Sequence, residues 1–152
     1  MFALFRSPAF DHPALGTLRR KGGMWRGSIR PEGQAEIPLV LPGDGTGPDP
    51  ASITMVQALA SDLPAWRSSI AAALFEHLEP YALADDAESF AHVRTPADVW
   101  PHARLAHVQV FPQAGALVLE LGYGVDWDED HTLGARFGQG RLVELNGSTG
   151  PV

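Results

Sequence analysis

The chain lacks cysteine altogether and has no long apolar run. The absence of cysteine excludes disulfides, thiolate metal sites and cysteine nucleophiles, and it fits a reducing compartment. No stretch approaches the roughly 18 consecutive apolar residues that a membrane-spanning helix needs. The apolar start at Met1–Arg6 is too short for a signal peptide and has no basic beginning. These absences predict a soluble cytoplasmic protein that does not bind membranes.

Positive charge is scarce. Eleven Lys and Arg residues stand against eighteen Asp and Glu residues, which gives a formal net charge of −7 at pH 7. Because nucleic-acid affinity depends largely on Lys and Arg neutralising phosphates, this balance argues against a nucleic-acid partner. It is compatible with a protein partner that presents a basic surface.

Complete catalytic motifs are missing as well. The chain has no G-x-S-x-G elbow, no H-E-x-x-H helix and no Walker lysine. The glycine-rich run 43–50 has the composition of a phosphate loop, but it lacks the lysine and places Asp44 where phosphate would approach. We interpret this run as a crossover loop from sheet to helix. The missing motifs favour a protein that is not an enzyme.

The residues that are present predict a single α+β domain over 1–152. Strands at 15–20 and 25–30 flank a glycine turn, and a third strand follows at 37–41, where Pro38 argues for an edge or bulged position. Helices come next, and the last third returns to strands. This order predicts a mainly antiparallel sheet, built from N-terminal hairpin strands and a C-terminal β meander, with two helices packed on one face.

The middle of the chain carries the helix signals. Asp49 can cap a first helix that has Pro50 at its first position. The run Asp62-Leu63-Pro64 interrupts the apolar periodicity and predicts the start of a second helix, on whose apolar stripe His77 lies as a core residue. A short third helix is predicted at 85–91, and a capped turn at 95–98.

The clearest strand is the alternating run 117–127. Trp127 falls on its apolar side, which predicts that the indole packs into the core. Asp126 falls on the opposite side, where Gly122 and Gly124 carry no side chains. That bare face could admit a ligand or a neighbouring chain, and the glycines are equally typical of a strongly twisted or bulged strand.

The segment after this strand concentrates the chain's chemical groups. We expect residues 128–131 to form the turn into the next strand, and we name five candidate binding residues: Asp126, Trp127, Asp128, Asp130 and His131. The simplest interpretation is a set of solvated turn acids around a core tryptophan, without a cofactor. A carboxylate beside His131 would also suit an oriented acid–base pair.

The alternative is a divalent metal ion held by Asp126, Asp128, Asp130 and His131. The one-apart spacing of the three aspartates is how a calcium loop opens. That loop also needs a glycine at its sixth position and a glutamate at its twelfth, where this chain has Phe137. The spacing therefore does not complete a calcium site of that type.

Several short motifs together resemble a known family. They are Trp127-Asp128-Glu129-Asp130-His131 with Leu133-Gly134, the hairpin run Gly23-Met24-Trp25-Arg26-Gly27, and Thr95-Pro96-Ala97-Asp98-Val99-Trp100. The first resembles a W-D-x-E-H-G signature of an uncharacterised family of small bacterial cytoplasmic α+β domains. This chain departs from the signature by having Asp130 for the glutamate and Thr132 for the glycine. The resemblance implies a fold and a signature, and it implies no reaction.

Two functional hypotheses follow. The first is a non-enzymatic binding or interaction protein, such as an adaptor or immunity-like domain that masks a basic partner surface. The second is a metal-binding protein or metal-assisted hydrolase that uses the acidic cluster 126–131. A homodimer that pairs through the strand near Pro38 and the partly apolar face of Leu105 and Phe111 is a further hypothesis.

Overall fold

One broad sheet organises the structure, which is a computed structural model that describes residues 7–31, 34–82, 90–150 and 152. Eight strands form this sheet in the order β1-β2-β3-β4-β7-β8-β9-β10, and β5 pairs with β6 apart from it. The strands are β1 (Ala9–His12), β2 (Gly16–Lys21), β3 (Met24–Ile29), β4 (Ile37–Leu41), β5 (Gly43–Asp44), β6 (Gly47–Pro48), β7 (Ala103–Gln113), β8 (Ala116–Val125), β9 (Asp128–Gly138) and β10 (Arg141–Thr149).

The pairing is antiparallel throughout the large sheet except between β4 and β7. There Leu39 pairs with Val108 and Val40 with Gln109 in the parallel sense. A parallel pair needs a long crossover, and the helices between the two strands supply it. The predicted mainly antiparallel α+β fold is therefore confirmed. The sequence did not predict this parallel junction between the N-terminal hairpins and the C-terminal meander.

Three helices lie within the described residues: α1 (Pro50–Gln57), α2 (Leu59–Ala82) and a 3₁₀-helix (Pro96–His102), which begins at the predicted capped turn 95–98. The predicted cap is confirmed, since Asp49 Oδ1 accepts a 2.9 Å hydrogen bond from the Ala51 amide. None of these helices is long and apolar enough to cross a membrane. The helix predicted at 85–91 falls largely on residues 83–89, which lie outside the described part of the chain.

The predicted helix break at Asp62-Leu63-Pro64 is wrong. The chain breaks earlier, at Ala58, and α2 continues through Pro64 and Pro80 to Ala82. A proline removes a backbone hydrogen bond, but tertiary packing supplies most of a helix's stability. In α2 that packing includes Ile70, Leu74 and Leu78, which are among the most deeply buried side chains of the core.

The prediction of an edge or bulged position for Pro38 is also wrong. β4 is an inner strand, paired in continuous register with β3 and on its other side with β7. Pro38 is tolerated because it pairs only with Ser28 of β3, while the parallel pairing begins one residue later at Leu39. The large sheet ends at β1 and β10, so β4 is not one of its edge strands.

The alternation along β8 sets the two faces of the sheet. Leu119, Leu121, Tyr123 and Val125 are buried in the hydrophobic core on the helix side, as the periodicity predicts. The opposite face is polar but also well covered, since Glu120 is fully buried on it. Both faces of this strand are therefore occupied by packed side chains.

Candidate functional site

The acidic segment forms a tighter turn than predicted. Asp126 and Trp127 make the turn, and β9 already begins at Asp128, so residues 128–131 lie in a strand. A register shift between Gly124 and Val125 allows this, because Val125 then pairs directly with Asp128. The shift directs the side chains of Asp126 and Asp128 to different neighbours.

Trp127 packs into the core, as predicted. Its side chain belongs to the buried hydrophobic cluster, and its Nε1 donates a 3.0 Å hydrogen bond to His77 Nδ1 of α2. Since an indole N–H can only donate, His77 accepts at Nδ1 and is held as the neutral imidazole. Burial lowers the pKa of His77 in agreement with this arrangement. Trp127 therefore ties the turn to α2.

Asp128 and His131 are brought together. His131 Nδ1 lies 2.8 Å from Asp128 Oδ1, and the Tyr81 hydroxyl donates to Asp128 Oδ2 over 2.8 Å. Burial opposes ionisation of Asp128, but these two donors outweigh it and hold the pKa of the carboxyl below its ordinary value. The carboxylate is thus largely saturated by protein donors, and the imidazole that it orients is half-exposed.

Asp126 belongs to a separate group on the other side of the turn. Its Oδ2 lies 3.1 Å from His102 Nδ1 and its Oδ1 lies 3.1 Å from Arg104 Nη1. His102 in turn places its Nε2 2.8 Å from Nε2 of His92. The sequence did not predict this chain of two histidines and a carboxylate, because its members are up to 34 residues apart.

The four residues named as candidate metal ligands do not converge. Asp126 binds its own partners, Asp128 and His131 pair with each other, and Asp130 is exposed. Across residues 7–31, 34–82 and 90–150, no three His, Asp or Glu side chains are placed to hold a metal ion together. The predicted cluster is therefore two small groups.

The face that the glycines were expected to leave bare is filled. The His107 ring lies over Gly122 so closely that a Cβ at this position would collide with it, and Arg104 packs over Gly124. The glycines make room for these long side chains, which cover the strand. This face therefore has no open space for a ligand at β8.

The same face carries a buried ionic network around Glu120. This carboxylate accepts hydrogen bonds from Arg136 Nε at 2.8 Å, Gln109 Nε2 at 2.6 Å and His107 Nε2 at 3.2 Å. Burial opposes ionisation, but these donors and the Arg136 charge hold the pKa of Glu120 at about 2. Arg136 also pairs with Glu144 of β10 at 2.9 Å. Since three protein donors satisfy the buried carboxylate, we interpret the network as structural.

A large cavity of about 1310 Å³ lies on the helix side of the sheet. It opens because eight strands span roughly 34 Å at about 4.8 Å each, whereas a packed helix covers only about 10 Å. Its walls come from α1, the first half of α2, the 3₁₀-helix and strands β3, β4, β7 and β8. The apolar lining includes Leu15, Ile29, Ile37, Val56, Leu59, Leu63, Ile70, Trp100, Leu105 and Tyr123.

One part of this cavity is polar. The Arg67 guanidinium stacks over the Trp100 ring with its central carbon 4.2 Å from the ring centroid. Trp100 lies 6.2 Å from Tyr123, measured between ring centroids. Among the described residues, the arginines that form ion pairs with carboxylates are Arg104 and Arg136. Arg67 forms no ion pair with a carboxylate of these residues. An exposed guanidinium is thus held at the cavity by an aromatic ring.

Tyr123 also lines this cavity. Only 4% of it is exposed, and its hydroxyl makes no hydrogen bond within the described part of the chain. The hydroxyl oxygen keeps some accessible surface, since the buried side-chain atoms without a partner in the described residues are Arg20 Nε and Thr149 Oγ1. Burial raises the pKa of Tyr123, and the nearby Arg67 charge only partly offsets this, so the phenol is a neutral donor at physiological pH. A donor and a cation therefore lie together beside an apolar cavity.

Sequence patterns did not predict the cavity, since its lining comes from elements spread over residues 14–123. Arg67, which lies off the apolar stripe of α2, has the pattern of a solvated residue.

Comparison with known proteins finds no match among the curated proteins and none among the solved structures. A family model does match, over residues 14–152, which confirms the predicted membership of an uncharacterised domain family. The chain belongs to the family described as "Domain of unknown function (DUF6985)".

Proposed function

We propose that this domain is a non-enzymatic binding protein for a small amphipathic anion that occupies the cavity beneath α1 and α2. The proposal is based on one observation: the guanidinium of Arg67 and the unpaired hydroxyl of Tyr123 both lie in the lining of an otherwise apolar cavity. Ligand sites are typically apolar pockets with a few convergent polar groups. The adaptor, immunity-like and homodimer hypotheses are separate from this proposal and stay predictions.

The ligand's apolar body would lie against the side chains that α1, β4 and β7 contribute, among them Val56, Ile37 and Leu105. Its anionic group would lie at the stacked guanidinium of Arg67, which is exposed and can remain partly hydrated. The hydroxyl of Tyr123 would donate to the same group and so gain the hydrogen bond that it lacks in the protein alone. A monocarboxylate with an alkyl chain is the simplest molecule of this class.

The test compares two probes that differ only in the head group, octanoate and octanol, by isothermal titration calorimetry. A charge-assisted hydrogen bond at a partly exposed site contributes about 1.5 kcal/mol, so octanoate is expected to bind about tenfold more tightly than octanol. Arg67→Met keeps the apolar length of the side chain and removes its charge. This variant is expected to bind octanoate only as tightly as octanol, with octanol binding unchanged.

Arg141→Met is the matched control, since Arg141 is an exposed arginine of β10 that does not line the cavity. It is expected to leave the affinity for both probes unchanged. Equal affinity for octanoate and octanol in the unmodified protein would remove the anionic part of the proposal. Binding of neither probe would remove the cavity as a site for this class of ligand.

A further inference from the structure

The pair of histidines beside Asp126 suggests a second site, independent of the cavity ligand. We propose that His92 and His102 bind a divalent transition-metal ion of the copper, nickel and zinc class, with Asp126 orienting His102 from behind. The two Nε2 atoms lie 2.8 Å apart, within hydrogen-bond distance of each other. His92 is exposed, so a metal ion can reach these nitrogens from solvent.

The orientation of His102 is set by the protein. It is the last residue of the 3₁₀-helix, its backbone carbonyl accepts a 2.9 Å hydrogen bond from the Asp126 amide, and its ring meets Phe90 edge-on. Its Nδ1 lies 3.1 Å from Asp126 Oδ2, so the N–H is on Nδ1 and the lone pair is on Nε2. Metal-binding histidines almost always donate their other N–H to a carboxylate or a carbonyl in this way.

The separation of the rings suits a metal with a small adjustment. Tetrahedral zinc coordination at about 2.0–2.1 Å places two ligand nitrogens roughly 3.3 Å apart, so zinc requires the rings to separate by about half an ångström. His92 supplies this movement most readily, and on binding it would carry its proton on Nδ1. Imidazole ligands select copper, nickel and zinc over calcium and magnesium. Water would complete the coordination, because in the described residues the protein offers these two imidazoles and no third ligand.

The local charge is nearly balanced. Asp126 is negative, and Arg104 lies against its other oxygen at 3.1 Å. The imidazoles therefore supply the affinity, and the carboxylate acts as a positioning group. This distinguishes the site from the Asp128–His131 pair, where the carboxylate already accepts from Tyr81 and a single imidazole is present.

The experiment uses the full chain without a histidine tag and titrates it with Cu²⁺ and, separately, Zn²⁺ by calorimetry. One equivalent is expected to bind, and the electron paramagnetic resonance spectrum of the Cu²⁺ form should show coupling to two imidazole nitrogens. His92→Ala should weaken binding by at least about tenfold and reduce the spectrum to one nitrogen. Asp126→Asn should weaken binding by about tenfold and keep both nitrogens, as expected of a positioning residue.

His131→Ala is the matched control, because it removes an exposed histidine that also lies beside an aspartate. It is expected to change neither the affinity nor the spectrum. Binding that His92→Ala leaves intact, or that is spread over several weak sites, would overturn the proposal. So would a one-nitrogen spectrum in the unmodified protein.

Discussion

Replacing Glu120 by glutamine is the sharpest test of how the polar face of the sheet is stabilised. The carboxylate is fully buried and accepts from Arg136, Gln109 and His107. Its pKa is lowered from an ordinary 4.5 to about 2 in the folded protein. At 1.36 kcal/mol for each pKa unit, this difference corresponds to about 3 kcal/mol of folding stability at neutral pH. Removing one member of a buried ion pair costs a similar amount.

The sign of the pH dependence follows from the lowered pKa. The contribution of Glu120 is fully present above pH 4.5, and it is lost as the pH falls towards 2. The free energy of unfolding of Glu120→Gln should therefore lie about 3 kcal/mol below that of the unmodified protein at pH 7. The two proteins should approach each other between pH 4.5 and 2. Other carboxyl groups titrate in both proteins and largely cancel in the difference.

Urea denaturation at pH 7, 5, 4 and 3 measures this difference directly. Glu144→Gln is the control, because Glu144 pairs with the same arginine but its side chain is 51% exposed. An exposed ion pair contributes at most about 1 kcal/mol, so this variant should change little. A loss for Glu120→Gln below about 1 kcal/mol at pH 7, or a loss that stays constant from pH 7 to 3, would refute the reasoning.

Three further substitutions test single contacts. Tyr123→Phe should leave the free energy of unfolding unchanged or raise it slightly, because the hydroxyl has no protein partner to lose, and a clear fall in urea denaturation would contradict this. Gly122→Ala should destabilise the protein by about 2 kcal/mol or more, since its Cβ would displace the buried His107 ring, and an unchanged melting temperature would show that the ring moves freely. Tyr81→Phe should cost about 1 kcal/mol at pH 7 and raise the pKa of Asp128, as measured by carboxyl-carbon NMR titration, and an unaltered pKa would argue against the hydrogen bond.

Local patterns predicted the local structure. The Gly22-Gly23 turn has positive φ at both residues, 62° and 78°, which is the conformation that a tight hairpin of this type requires. Asp49 caps α1, and Trp127 packs in the core. Each of these predictions depends on backbone geometry or on side-chain periodicity within a few residues. Both can be read directly from a short stretch of the sequence.

Two predictions that depended on distant parts of the chain were wrong. Pro38 was predicted at an edge or a bulge, but the order of strands in the sheet places it inside, where the parallel pairing with β7 begins only after it. Gly122 was expected to lie on a bare face, but the His107 ring from the neighbouring strand covers it. In both cases the neighbour is set by long-range pairing, which a local pattern does not encode.

The sequence by itself determined the α+β class, the glycine hairpin, the alternating core face of β8 and the burial of Trp127. Only the tertiary structure decided that Asp126 and Asp128 separate, that His92 meets His102, and that Arg67 and Tyr123 share a cavity. The physical reason is that periodicity fixes which side of an element a residue occupies. Which residue lies next to it there depends on the pairing of strands far apart in the chain. The cavity depends on the width of the sheet, which is greater than its helices can cover.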